Sequence, residues 1–174
     1  NLLEAAIKSD VNRFVYASSS SIYGDNPELP KRENMVPRPL SPYAVSKLSG
    51  EKYCEVFSRI YGLQTVCLRY FNVFGKRQDP SSQYSAVIPK FIKSILNGDR
   101  PTIYGDGNQS RDFTHVKNVI LANILAGTKE IDGSIIVNCA CHEQIDLISL
   151  VGRINDLLGK DIEPLFEKNR VGDV

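Results

Sequence analysis

An apolar run at residues 13–18 leads into four consecutive serines, Ser18 to Ser21. A proline-rich stretch, a long helical segment and a second apolar run at 64–70 follow. This order constrains the fold more than any other feature of the chain. Residues 13–18 are apolar, β-branched and aromatic, the pattern of a central parallel strand covered on both faces. Residues 24–40 hold four of the nine prolines, Pro27, Pro30, Pro37 and Pro39. Proline blocks both helix and inner strand, so this stretch is a loop. Ser41-Pro42 reads as an N-cap with proline at the first helical position, and Gly62 suits the C-terminal cap of a helix over 42–61.

The pattern continues downstream. A loop at 75–84 precedes a helix at 86–97 closed by Asn97-Gly98, and a short strand at 101–104 enters the Gly105-Asp-Gly107 turn. A helix at 116–127, a strand at 134–139, a helix at 146–158 ended by Gly159 and a short strand at 162–166 complete the reading. Helices alternate with strands, as in α/β architecture. The chain contains neither internal repeats nor low-complexity tracts.

Within this frame, Tyr43-Ala-Val-Ser-Lys47 places a Tyr and a Lys one turn apart on the 42–61 helix, where positions i and i+4 are neighbours. A free phenol titrates near 10, too high for a base at neutral pH, and a cation held close to a phenol favours its ionised form. A serine hydroxyl from the upstream run can relay or share the proton. This chemistry suits removal of a proton from an alcohol while hydride leaves the same carbon. The spacing alone is undemanding, because an interfacial Tyr and a solvated Lys produce it too. Context strengthens it: Leu68-Arg-Tyr-Phe-Asn-Val-Phe-Gly75 reads as a strand delivering Asn72 to a loop.

Charge narrows the function classes. Lys plus Arg is 21 against Asp plus Glu 20, a net charge of +1, so no broad field attracts nucleic acid or a membrane surface. No apolar run reaches transmembrane length and no signal peptide pattern opens the chain. Neither a nucleic-acid nor a membrane partner is expected. The four cysteines are Cys54, Cys67, Cys139 and Cys141. The last two are separated by one residue rather than the two of a common zinc or redox pair, and on a strand they point the same way. Reduced, mostly buried thiols in a cytoplasmic protein are the better reading. His115 and His142 have no ligand cluster around them, so no metal site is expected.

Residues 1–10 carry apolar residues at helical spacing without an N-cap, and the first residue is not Met. They read as the tail of a helix. No GxxGxxG or GxGxxG turn, the element that holds a dinucleotide pyrophosphate at a helix N-terminus, occurs in the chain.

Several stretches together carry a resemblance: Pro39-Leu-Ser-Pro-Tyr-Ala-Val-Ser-Lys47, Arg69-Tyr-Phe-Asn-Val-Phe-Gly-Lys-Arg-Gln-Asp-Pro80, Ala86-Val-Ile-Pro-Lys90, Tyr104-Gly-Asp-Gly-Asn-Gln-Ser-Arg-Asp-Phe113 and Arg170-Val-Gly-Asp173. Over nearly its whole length the chain resembles the extended short-chain dehydrogenase/reductase family, and within it the nucleotide-sugar 4-epimerases, with its closest likeness to bacterial members acting on UDP-N-acetylglucosamine. The resemblance implies a partial Rossmann-like doubly wound parallel sheet plus part of a smaller C-terminal substrate-binding region. Residues 1–74 would form the C-terminal half of the NAD-binding domain. Residues 75–174 would be mainly the sugar-nucleotide region, with 116–139 returning to the Rossmann core. The glycine-rich half would lie upstream of Asn1, and the 174-residue chain alone is expected to be inactive.

The family likeness also assigns roles. Tyr43 would be the base, with Lys47 its electrostatic partner, and both would contact NAD. The family's catalytic hydroxyl lies four residues before the Tyr of a Tyr-Gly pair, here Tyr23, which selects Ser19, with Ser20 as the fallback. Ser20 and Ser21 would touch substrate. The backbone at Tyr70 would lie along the nicotinamide end of NAD, and Asn72 would contact the sugar nucleotide. Ala86 and Val87 would line the uridine pocket, Arg111 and Arg170 would grip the diphosphate, and Asp173 would hold the nucleotide ribose. The implied reaction is NAD-dependent epimerisation at C4 of a UDP-sugar through a 4-keto intermediate. UDP-N-acetylglucosamine/UDP-N-acetylgalactosamine is the expected pair, with UDP-glucose/UDP-galactose as the other option. A homodimer through the Tyr43 helix and its neighbour is expected. Family members continue beyond Arg-x-Gly-Asp-Val, where a residue helping to separate hexose from N-acetylhexosamine lies. A dehydratase would need an Asp-Glu pair where Ser20 and Ser21 stand. A decarboxylase on the same scaffold and a non-catalytic sugar-nucleotide-binding fragment are the remaining alternatives.

Overall fold

The structure is a computed structural model, and it describes residues 1–81 and 87–168. The chain divides into two compact units. The first comprises Asn1–Phe71 and Lys117–Ala140; the second comprises Asn72–Val116 and the segment from Cys141 onward.

In the first unit, strands β1 (Arg13–Ser19), β2 (Gln64–Tyr70) and β7 (Ser134–Cys139) form a parallel sheet in the order β1-β2-β7. Helices α1 (Leu2–Lys8), α2 (Pro42–Tyr61) and α4 (Val116–Thr128) accompany them. The central strand of the described sheet is therefore β2. Among the described strands β1 stands at one edge and is only partly covered along most of its length. β2 is buried through its middle five residues. Its alternation separates two faces. Val66 and Leu68 pack with Ala126 of α4 in one cluster joined by Val15, Tyr70 and Ile135. On the other face, Arg69 bonds Glu51 of α2 and the Thr65 hydroxyl reaches the Cys54 carbonyl, also on α2. A parallel strand in this position needs covering on both sides, and this one has it.

α2 begins as its sequence dictates. The Ser41 side chain accepts the Ala44 N–H, Pro42 occupies the first turn, and Gly62 closes the helix in the left-handed region at φ 72°. After β1 a short 3-10 turn spans Ser20–Tyr23, absent from the sequence reading, and Gly24 ends it at φ 60°, ψ −140°. A Cβ on Gly24 would lie 1.9 Å from the Arg38 carbonyl oxygen. Gly24→Ala therefore combines a glycine-only conformation with a backbone clash and should cost about 2 kcal/mol or more. A denaturant titration checks this, and a midpoint equal to that of the parent would refute it.

In the second unit, α3 (Val87–Asn97) and α5 (Leu147–Leu158) pack through Phe91, Ile95, Leu147, Leu150, Val151 and Ile154, with Ile103 from β4 (Thr102–Tyr104). β4 pairs in parallel with β9 (Leu165–Glu167), so the last strand starts later than expected and 162–164 are irregular. Four further pieces are two residues long each: β3 (Val73–Phe74) runs parallel to β6 (Thr114–His115), and β5 (Ser110–Arg111) runs antiparallel to β8 (Ile145–Asp146). Segments this short carry no periodicity, which is why the sequence showed none of them. Among the described residues no helix is long and apolar enough to cross a membrane.

Candidate active site

Parallel strands deliver their C-terminal ends to one edge of a sheet, and in open α/β folds ligands bind outside that edge. β1 ends there at Ser19, β2 at Tyr70 and β7 at Cys139, which are register partners in one row. Lys47, on the second turn of α2, donates from Nζ to the Ala17 carbonyl at 2.8 Å. Its ammonium lies 5.7 Å from the Tyr43 ring centroid and 5.5 Å from that of Tyr16. α2 can approach this closely because position 50 is glycine: a Cβ there would fall 2.2 Å from the Tyr16 ring. Burial, with the neighbouring Cys54, Cys67 and Glu51, pushes the Tyr16 phenol above its ordinary value, so this ring stays neutral beside the ammonium. Tyr43 is 54% exposed and open to a reactant.

Ser19 is half-buried, and its Oγ accepts the Ser21 N–H at 3.2 Å and the Ser21 hydroxyl at 2.9 Å. Both bonds use its lone pairs, which leaves its own O–H as a donor. Ser20 and Ser21 form the first residues of the 3-10 turn that Ser19 caps. Ser19, Tyr43, Lys47 and Tyr70 thus all belong to the first unit. The Tyr70 hydroxyl exchanges hydrogen bonds with Asn123 of α4 at 2.9–3.1 Å, so the side chain is anchored away from α2. Burial raises the Tyr70 phenol, with the Asn123 bond acting the other way.

The second unit holds the remaining described candidates. Asn72 sits at φ 26° and donates from Nδ2 to the Asp112 carbonyl at 3.0 Å. The Thr114 N–H in turn donates to the Asn72 carbonyl. Asn72 is thereby held beside the Arg111-Asp112 segment. Arg111, half-buried in β5, donates from Nη1 to the Ser110 carbonyl at 3.1 Å. The Asp112 carboxylate accepts the Cys141 and His142 N–H groups and joins this segment to the start of the next. Val87 opens α3 and packs against its core cluster. Ala86, Arg170 and Asp173 lie outside the described residues. Cys139 ends β7, so strand alternation does not extend to Cys141; all four cysteines are free.

Sequence reasoning passed over a buried polar group directly beneath the strand ends. Ser18 donates to Glu51 Oε1 at 2.5 Å, and Arg69 donates from Nε and Nη2 to the two Glu51 oxygens at 2.9 and 2.8 Å. Arg69 Nη1 also donates to Tyr23 Oη at 2.8 Å and to the Glu33 carbonyl at 3.2 Å. Burial works against the Arg69 charge, yet the bonds to Glu51 and Tyr23 prevail and hold its pKa above the ordinary value. The signal was present: Glu51 follows Lys47 at i+4, as Lys47 follows Tyr43.

Residues 1–140 match the model of the NAD dependent epimerase/dehydratase family. The chain is 39% identical to a putative UDP-glucose 4-epimerase of Methanocaldococcus jannaschii, over 100% of the chain and 56% of that relative. Its fold superposes with a TM-score of 0.94 on a UDP-N-acetylglucosamine 4-epimerase from Methanobrevibacter ruminantium in complex with UDP-N-acetylmuramic acid, at 46% identity, covering 99% of the chain and 55% of the other. A UDP-glucose 4-epimerase of Thermus thermophilus in complex with NAD gives a TM-score of 0.88 at 36% identity, covering 99% and 57%. The chain spans about half the length of these relatives. The chain belongs to the NAD dependent epimerase/dehydratase family.

Proposed function

We propose that the protein carrying this chain is a UDP-sugar 4-epimerase that uses NAD, with UDP-N-acetylglucosamine and UDP-N-acetylgalactosamine as its preferred pair. The observation that carries the reading is the Lys47 ammonium, which bonds the Ala17 carbonyl two residues before Ser19 at the end of β1 and lies 5.7 Å from the Tyr43 ring. The 46% identity to a UDP-N-acetylglucosamine 4-epimerase supports the choice of sugar. An ammonium and a phenol one helical turn apart at the ends of parallel strands fit the ribose hydroxyls and ring of a nicotinamide nucleotide. Lys47 and Tyr43 would hold that end, with the Tyr70 backbone beside it. NAD, when bound, supplies a reversible hydride acceptor at the sugar C4.

The residues of the chain supply the proton chemistry. Tyr43 takes the proton from the sugar 4-hydroxyl and returns it after the 4-keto sugar has presented its other face. Lys47 stabilises the charge that this places on the phenol. Ser19 donates its free O–H to the same sugar oxygen, and Ser20 and Ser21 contact the sugar. In the second unit, Asn72 and Val87 contact the sugar nucleotide and Arg111 the diphosphate, together with Ala86, Arg170 and Asp173. The first unit in this reading is the catalytic and NAD-side domain, and the second is the nucleotide-sugar region. A homodimer through α2 belongs to the same proposal, supported by the exposed stripe Val45, Tyr53, Val56 and Ile60. So does a cytoplasmic location, supported by four free thiols.

Incubation of the complete reading frame with UDP-N-acetylglucosamine should yield UDP-N-acetylgalactosamine without net change in NAD. Failure to interconvert either UDP-sugar pair by protein that retains NAD would reject the reading. Arg111→Ala should weaken UDP-sugar binding about tenfold to a hundredfold, the worth of a hydrogen bond to a charged group, with kcat little changed. Isothermal titration with UDP checks this; unchanged affinity would remove Arg111 from the diphosphate site.

A further inference from the structure

Ser18, Arg69 and Asn138 are register partners on β1, β2 and β7 and form a single polar row across the sheet. The next row, Ser19, Tyr70 and Cys139, is the one at which the strands end. Glu51 of α2 sits on the polar row and accepts from both Ser18 and Arg69, and both charged side chains are only 2% exposed or less. Tyr23 links the far side: it accepts from Arg69 and donates to Asn138 Oδ1 at 2.7 Å. The Glu33 carboxylate accepts the Asn138 N–H at 2.7 Å, and Asn138 Nδ2 donates to the Lys31 carbonyl. The loop that leads into α2 is therefore fastened to the same row.

A buried ion pair is a poor source of stability, since apolar side chains of similar volume serve as well or better. What it supplies here is register. Lys47 and Glu51, one turn apart, grip Ala17 and Ser18, consecutive residues of β1, and the following residue is Ser19. The Lys47 bond lies at the exposed end of a flexible side chain. The Glu51 contacts are buried, bidentate to Arg69 and geometrically strict, because the planar guanidinium fork accepts few arrangements.

We propose that Glu51 and Arg69 are positioning residues: the polar row they complete fixes the seat of α2 on the strand ends and thereby sets Tyr43 and Lys47 against Ser19. This rests on the reading of those three residues as the catalytic set. The mechanism requires such a device, because a displacement of about 1 Å at reacting groups can cost about 100-fold in rate.

The test uses the complete reading frame and the double variant E51M/R69M, which removes both charges together and so leaves neither buried alone. It should fold and melt above either single variant, keep the KM for the UDP-sugar, and lose about 100-fold in kcat. Amide hydrogen exchange should quicken over residues 42–47 and stay unchanged over α4. A residue with a merely structural role would leave kcat at the parent value once folding is restored, and that result overturns the proposal. If the double variant does not fold, Glu51→Asp replaces it: the charge stays and the reach shortens, so kcat should fall while KM holds, and parent-like kcat is again fatal. Should the parent turn over no UDP-sugar, the functional reading fails separately. Exchange over 42–47 then decides the positioning claim alone, with unchanged protection rejecting it.

Discussion

Replacing Tyr43 by Phe in the complete reading frame should lower kcat by about 10² to 10⁴-fold, the usual contribution of a positioned acid or base. The substitution is clean on physical grounds. The Tyr43 side chain is 54% exposed, so losing its hydroxyl opens no cavity and leaves no buried partner unsatisfied. Its ring stays within reach of the Lys47 ammonium, 5.7 Å from the centroid, and a phenyl face attracts a cation as a phenol face does. Surface changes of this kind alter stability by about 0.5 kcal/mol or less. The helix, Lys47 and the Ala17 contact therefore persist, and only the proton acceptor is gone. UDP-sugar affinity should change little. Steady-state kinetics with a binding titration separate the two effects. Near-normal turnover would reject Tyr43 as the base and most of the mechanism with it.

That side chain was legible in the sequence because local rules determine its placement. Ser41 caps the helix, Pro42 opens it, and i to i+4 spacing brings Lys47 to Tyr43. The strands of the three-stranded sheet were legible for a similar reason, since each is a continuous apolar run between turn signals. Order within the sheet was not, because it depends on which strands pair, and pairing joins residues about fifty positions apart, as in Val15 with Val66. Only the structure shows that β2 stands between β1 and β7 among the described strands. The polar row escaped for the same reason. Ser18, Arg69 and Asn138 look like an ordinary loop serine, a solvated arginine and a strand asparagine until the register aligns them. Arg69 lies between Leu68 and Tyr70 in an otherwise apolar strand, and that misfit was the available clue. The two-residue strands that position Asn72 and Arg111 left no periodic trace.

Arg69→Met alone should be the most damaging single change to stability, at about 3–5 kcal/mol, because it strands the Glu51 carboxylate in a site that excludes water. The carboxylate would keep the Ser18 hydroxyl and lose both guanidinium bonds. Tyr23 and the Glu33 carbonyl would lose a donor as well, which adds to the cost. Glu51→Met alone should be comparably harmful, since it leaves a guanidinium that cannot shed its charge. Combining the two should recover much of the loss, so the double variant is more stable than either single one and the cycle is strongly non-additive. The recovery should be incomplete, because Ser18 and Tyr23 still lack the partners that the pair provided. Urea titrations of the parent, both single variants and the double variant measure the coupling directly. Additive losses would mean that Glu51 and Arg69 act independently, and that the short contacts between them carry no free energy.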